Sequence, residues 1–208
     1  MTATGTAAYD AWGEKPPTVA AAVDLARGMG FDRSCRPEQG ELLRILARGI
    51  GAGTIGETGT GCGVGLAWLA SAAHPDARII SIDRDAKRAA AVGRLVRDDP
   101  RVRVCHGDWS ELVNHGPFDL LVLDGGGHGK GTEPPLDPAA WVRPGGLIVI
   151  DDFTPSAGWP PMYGDEVDTT RLYWLEHPAL RATQIGLAHN ATTVVAAVIT
   201  TGGRRDHQ

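Results

Sequence analysis

The run Ile55-Gly56-Glu57-Thr58-Gly59-Thr60-Gly61-Cys62-Gly63-Val64-Gly65 constrains this chain more than any other stretch. It reads as a short strand, a glycine-crowded turn and the start of a helix. Glycine has no Cβ and tolerates positive φ, so such a turn bends sharply and lets backbone approach a ligand closely. The order predicts a nucleotide-like cofactor across the carboxyl end of a parallel sheet. A dinucleotide site would need GxGxxG. Counted from Gly59 and Gly61 the third glycine falls on Val64, and from Gly61 and Gly63 it falls on Leu66. The spacing present is an acid followed by GxGxG: Glu57, Gly59, Gly61, Gly63.

The surrounding periodicity supplies the sheet. Strands are predicted over 54–57, 78–83, 102–105, 118–124 and 147–150, separated by helices reaching about residue 73 and over 85–97, 109–113 and 138–142. Strands alternating with helices imply a parallel sheet covered on both faces. The stretch 118–124 is nearly all apolar, as a central strand should be. A turn at Arg143-Pro144-Gly145-Gly146 leads into the fifth strand. After a helix over 166–176, strands over 182–187 and 192–199 joined by His189-Asn190 must form an antiparallel hairpin. The fold class expected is therefore α/β, a Rossmann-like doubly wound, mostly parallel seven-stranded sheet with a C-terminal antiparallel hairpin. Upstream, residues 1–17 read as an arm in which Tyr9 and Trp12 need somewhere to pack. Thr18 is expected to cap a helix through about residue 29, and Arg36-Pro37-Glu38 to open a second. The expected organisation is one domain over 1–208, with 1–50 as arm and cap helices, 51–200 as the cofactor-binding core, and 202–208 frayed.

Composition narrows the class. A chain of 208 residues with 42% hydrophobic and 22% charged residues is an ordinary soluble domain. A formal net charge of −5 argues against a general nucleic-acid binder. Cys35, Cys62 and Cys105 form no CxxC and read as free thiols. No apolar run approaches membrane-spanning length, and no basic, apolar leader is visible at the start, so the expected setting is the cytoplasm.

The acid-GxGxG run resembles motif I of the class I S-adenosylmethionine-dependent methyltransferases. The resemblance extends over roughly residues 35–200. It implies that backbone of Gly59, Thr60, Gly61 and Gly63 contacts the methionine end of the cofactor, with Glu57 near its amino group. Asp83, with Arg84 beside it, ends the second strand, where a carboxylate accepts from ribose hydroxyls. Asp108 and Trp109, in His106-Gly107-Asp108-Trp109, fall where the family meets adenine, and Asp124 ends the fourth strand near the sulfur. The terminal hairpin also matches. Bland alternatives accompany these assignments: Asp83 and Asp108 could simply cap helices, Cys62 fill a loop, and His106 serve as a structural hydrogen-bonder. Gly56 departs from the family's apolar preference and predicts a weak first strand.

Methyl transfer needs a lone pair held in line with the S–CH3 bond. Parallel strand ends bring Asp124 and the pair Asp151-Asp152 to one rim, where three carboxylates repel unless a cation lies among them. Their hard oxygens suit Mg2+, Mn2+ or Ca2+. The set resembles the divalent-metal catechol and caffeoyl-CoA O-methyltransferases, and Arg36-Pro37-Glu38-Gln39-Gly40-Glu41-Leu42 resembles their preceding helix. That likeness implies metal ligation by Asp124, Asp151 and Asp152, and Lys130 or His128 as proton acceptor. It also suggests a homodimer and a small-molecule substrate. Two features depart from the group: Asp152 stands where it has Asn, and the loop at 125–130 is richer in glycine. Asp152 could instead cap the turn at Thr154-Pro155. Trp159 to Tyr163 reads as a substrate wall or lid, Tyr173 and Trp174 as helix packing, and Arg171 as a solvated charge. The competing functions are a metal-independent methyltransferase acting on a small molecule or RNA, a non-catalytic S-adenosylmethionine-binding protein and, more distantly, an NAD oxidoreductase.

Overall fold

A computed structural model describes residues 5–199; the frayed tail expected at 202–208 and the first four residues of the arm lie outside them. A 3₁₀ turn, Ala7–Asp10, is followed by α1 (Pro17–Gly28) and α2 (Pro37–Gly49). Then come β1 (Thr54–Thr58), α3 (Val64–Ala72), β2 (Arg78–Asp83), α4 (Ala86–Leu95) and β3 (Val102–His106). A second 3₁₀ segment, Trp109–His115, precedes β4 (Phe118–Leu123), α5 (Pro138–Trp141) and β5 (Val142–Phe153). The chain closes with β6 (Met162–Tyr163), β7 (Glu166–Val167), α6 (Thr169–Glu176), β8 (Leu180–Ala188) and β9 (Ala191–Val198).

Seven strands form one sheet in the order β3-β2-β1-β4-β5-β9-β8. The first five are parallel, and β9 runs antiparallel to both β5 and β8. The strand order reverses between β1 and β4, so a crevice opens beyond their carboxyl ends. Side chains alternate across the sheet. Ile55, Ile79, Leu120, Val122 and Val149 pack under α1 to α4, while Ile80, Ile82, Leu121, Leu123, Ile148 and Ile150 pack under Leu112, Trp141 and Trp174.

Several local expectations change. Helix α1 starts at Pro17 with no side-chain cap, so Thr18 lies inside it; proline at the first helical position is already set to helical φ. Tyr9 is not part of a loose arm: it is 2% exposed, donates to the Cys35 carbonyl at 2.9 Å and accepts from Trp68 Nε1 at 2.8 Å. Gly56 does not weaken β1. A Cβ there would lie 2.7 Å from the Phe118 ring, so the missing side chain seats an aromatic of the neighbouring strand. Strand β5 absorbs the expected turn at 143–146 with a register shift opposite 118–120. The helix expected from 166 begins at Thr169, because Asp168 caps it by accepting from the Arg171 amide at 2.9 Å, while Glu166–Val167 pairs with Met162–Tyr163.

Candidate functional site

The crevice beyond β1 and β4 is a cavity of about 380 Å³. Gly59, Gly61, Asp83, Arg84, Asp108, Trp109 and Asp124 line it, joined by Phe31, Arg88 and Glu133. Gly59 sits at φ +85°, and a Cβ there would come within 2.4 Å of the Gly125 Cα, so two loops meet with only backbone between them. Asp83 is 5% exposed and its carboxylate is crowded with donors. Oδ2 accepts from the Gly61 amide at 2.7 Å, Oδ1 from the Asp85 amide at 2.8 Å, and Arg88 donates to both oxygens. The next acid, Asp108, has two environments at once. It forms a reciprocal capping box with Glu111 and also faces the cavity. Hydrogen bonds from the Ser110 hydroxyl and amide hold it below the usual carboxylate range.

Glu57, Thr60 and Gly63 stand behind the cavity wall. The Glu57 carboxylate is buried and accepts from Ser81 Oγ at 2.6 Å; Ser81 in turn lies 2.6 Å from Thr60 Oγ1. Burial, and to a lesser degree the charge on Asp83, push Glu57 up to about 8 against the opposing Ser81 hydrogen bond. Gly63, at φ +82°, makes the left-handed step into α3.

A second, larger cavity of about 530 Å³ adjoins the first, and Asp124 belongs to the walls of both. Asp151, Asp152 and Lys130 meet Asp124 at its floor. Burial, then the neighbouring Asp151 and Asp152 charges, raise Asp124 well above the carboxylate range; burial and Asp152 raise Asp151 to about 7. The backbone of Asp152 is left-handed, φ +63°, a conformation that costs an L-residue about 1 kcal/mol or more and that clusters at functional sites. Lys130 donates to the Asp151 carbonyl, and its ammonium lies 4.1 Å from the centre of the Phe153 ring. Burial lowers its pKa against the pull of the three carboxylates. His128 is not in either cavity wall; its Nδ1 accepts from the Lys130 amide at 2.9 Å, and burial lowers it to about 4. Among the described residues no three His, Cys, Asp or Glu side chains stand in a ligating arrangement.

Several participants escape a residue-by-residue reading. Ser81 and Asp83 are two apart on β2 and so point the same way, a signal visible in Arg78-Ile79-Ile80-Ser81-Ile82-Asp83. Arg88 has a weaker signal, one turn into the helix after Asp83. Cys35 and Gln39 carry none; they reach the larger cavity only because α2 packs over its mouth. Arg171, expected in solvent, is fully buried. It pairs with Asp168 at 3.0 Å, donates to the Thr154 carbonyl at 2.7 Å and lies 4.9 Å from the Phe153 ring.

Comparison with known proteins agrees with this geometry. Residues 57–153 match a family described as a methyltransferase domain. The chain is 30% identical over 187 residues to the catechol O-methyltransferase of Mycobacterium tuberculosis, covering 81% of each protein. It is 29% identical over 133 residues to a catechol O-methyltransferase of Niastella koreensis, covering 57% of this chain and 58% of that protein, which is less than two thirds of its length. In three dimensions it is similar to the O-methyltransferase TomG of Streptomyces achromogenes, solved in complex with SAM, at a TM-score of 0.70 and 20% identity over 94% of this chain and 96% of that one. That last likeness shows the shared fold.

Proposed function

The chain belongs to the class I S-adenosylmethionine-dependent O-methyltransferases, and from that premise we propose that it methylates a hydroxyl of a small molecule held in the larger cavity, assisted by a divalent cation. The observation that carries this reading is the shared position of Asp124. A sulfonium in the smaller cavity and an acceptor oxygen in the larger one would meet beside Asp124, which lines both cavities together with Arg33. Transfer then needs little motion: an oxygen lone pair forms the new O–CH3 bond while the S–CH3 electrons return to sulfur, leaving a neutral thioether. Holding the two reactants in line supplies most of the acceleration.

The hydroxyl proton must leave. Lys130 stands in the wall of the larger cavity with a pKa lowered by burial and is the base this reading assigns, whereas His128 is turned toward the Lys130 amide. The donor chemistry suits a hard cation, although the three side chains do not stand in a ligating arrangement: Asp124, Asp151 and Asp152 would have to turn inward to hold it, and their mutual repulsion is what such an ion relieves. When bound, it would lower the pKa of a coordinated hydroxyl. Walls of mixed polar and apolar character, with Tyr163 and Val167 of the β6–β7 hairpin, suit a compact aromatic acceptor.

A metal-independent transfer is favoured by one observation, namely that the Lys130 ammonium itself attracts all three carboxylates. Product mass spectrometry over a catechol panel with S-adenosylmethionine separates the readings. The expected result is a mono-methylated product that disappears with EDTA and returns with Mg2+. Activity indifferent to EDTA selects Lys130 as the sole cation. Tight binding of S-adenosylhomocysteine with no product from any phenol would make the protein a binder without catalysis.

A further inference from the structure

Buried polar groups in folded proteins almost always find partners, and each one left without costs stability. The larger cavity breaks this rule twice. Gln39, on the first turn of α2, is 2% exposed, yet neither its Oε1 nor its Nε2 has a hydrogen-bond partner. Its neighbours Arg36 and Glu38 also lack hydrogen bonds at Nε and Oε2, but those atoms face each other at 3.5 Å and are compensated by charge. Gln39 is neutral and has no such compensation. Asn190 lies in the two-residue turn between β8 and β9, and its buried Oδ1 is likewise unpartnered. Asparagine in a tight turn ordinarily spends that oxygen on nearby backbone. Here it is withheld, and both residues border the same cavity as Asp124 and Lys130.

We propose that Gln39 and Asn190 form a reading head for the acceptor, recognising a second, neutral hydrogen-bond-donor group on the molecule to be methylated. The inference rests on the larger cavity being the acceptor site. The chemistry of the class follows from the orphaned atoms. Two oxygens require donors and one amide nitrogen requires an acceptor, so a carboxamide satisfies all three atoms and a hydroxyl satisfies one oxygen and the nitrogen. A carboxylate brings no donor and would face two acceptor oxygens, and a hydrocarbon leaves all three atoms unpaired. A site built to bond such a group rejects analogues that lack it, because the buried partners are then left open.

The test measures binding, so it reports even if turnover is absent. Calorimetry on the protein loaded with S-adenosylhomocysteine and Mg2+ compares catechols bearing a hydroxymethyl or carboxamide substituent with the matching methyl and carboxylate compounds. The wild type is expected to bind the donor-bearing compounds about tenfold more tightly. Gln39→Leu and, independently, Asn190→Ala should each erase most of that preference while leaving the methyl compound's affinity near its original value. Asn190 lies on a surface turn, so its variant reports even if Gln39→Leu folds poorly. Equal affinity across the wild-type series, no binding of any compound, or a preference that survives both variants overturns the proposal. Product formed without preference would sink the reading head alone; preference without product would sink the catalytic reading and leave the head standing.

Discussion

At the scale of single residues, the cofactor side of the site rests on three polar groups behind the glycine loop. Glu57, Ser81 and Thr60 come from two strands and a turn, and they meet only because β1 and β2 are adjacent and in register at Glu57 and Ser81. Glu57 is expected to make stability pH-dependent. Its folded pKa, about 8, lies above the unfolded value near 4.3, so the folded state holds the extra proton between those limits. The stabilisation is complete below about pH 4 and is lost as pH rises through 8. Glu57→Gln should therefore gain on the wild type with rising pH, by roughly 4 kcal/mol at pH 9 relative to pH 5. Urea midpoints at the two pH values measure this; a pH-independent difference would mean that Glu57 is ionised in the folded protein.

At the scale of elements, the segment between β5 and α6 is the least legible part of the chain and the most consequential for the acceptor. Its sequence, with Trp159, Pro160 and Pro161, announces a rigid aromatic stretch, but not how it is anchored. Arg171 is the anchor. Its guanidinium reaches the Thr154 carbonyl at the start of the segment, Asp168 at its end and Gln184 on β8 at 3.2 Å. An arginine one turn into a helix looks exposed when counted along the chain, and only the docking of α6 on β8 buries it. Removing a buried partner leaves the other charge uncompensated. Arg171→Ala should cost about 3 kcal/mol or more and open the segment 154–168 to proteolysis, with urea unfolding and limited digestion as the measurements. Loss of stability without new cleavage would show that the hairpin holds its place without the clasp. The extension of β5 through 143–146 was hidden for a related reason. Pro144 and the two glycines read as a turn, whereas pairing with β4 tolerates them as an irregularity in register.

At the scale of the whole molecule, one topological fact positions everything else. The strand order reverses between β1 and β4, and both cavities open beside the Asp124 that follows β4. Ligand binding there should stabilise the entire domain. S-adenosylhomocysteine at a hundred times its Kd is expected to add about 2.7 kcal/mol to unfolding, while NADH should add nothing. Asp83→Asn should weaken that binding about tenfold or more, because the replacement loses charge and one acceptor oxygen in a site crowded with donors. Calorimetry and thermal unfolding check both; stabilisation by NADH would reopen the dinucleotide alternative.

The sequence alone determined the alternation of strands and helices, the acid-GxGxG spacing and the order of Glu57, Asp83, Asp108 and Asp124 along the chain. These are readable because period-2 and period-3.6 patterns, and the backbone freedom of glycine, are local properties. The tertiary structure decided what each residue faces. It put Tyr9 and Arg171 inside, seated Phe118 over Gly56, turned His128 away from the cavities, and gathered Gln39, Lys130, Asp151 and Asn190 around one space. Those outcomes depend on packing between elements far apart in the chain, and no local pattern encodes the partner across that distance.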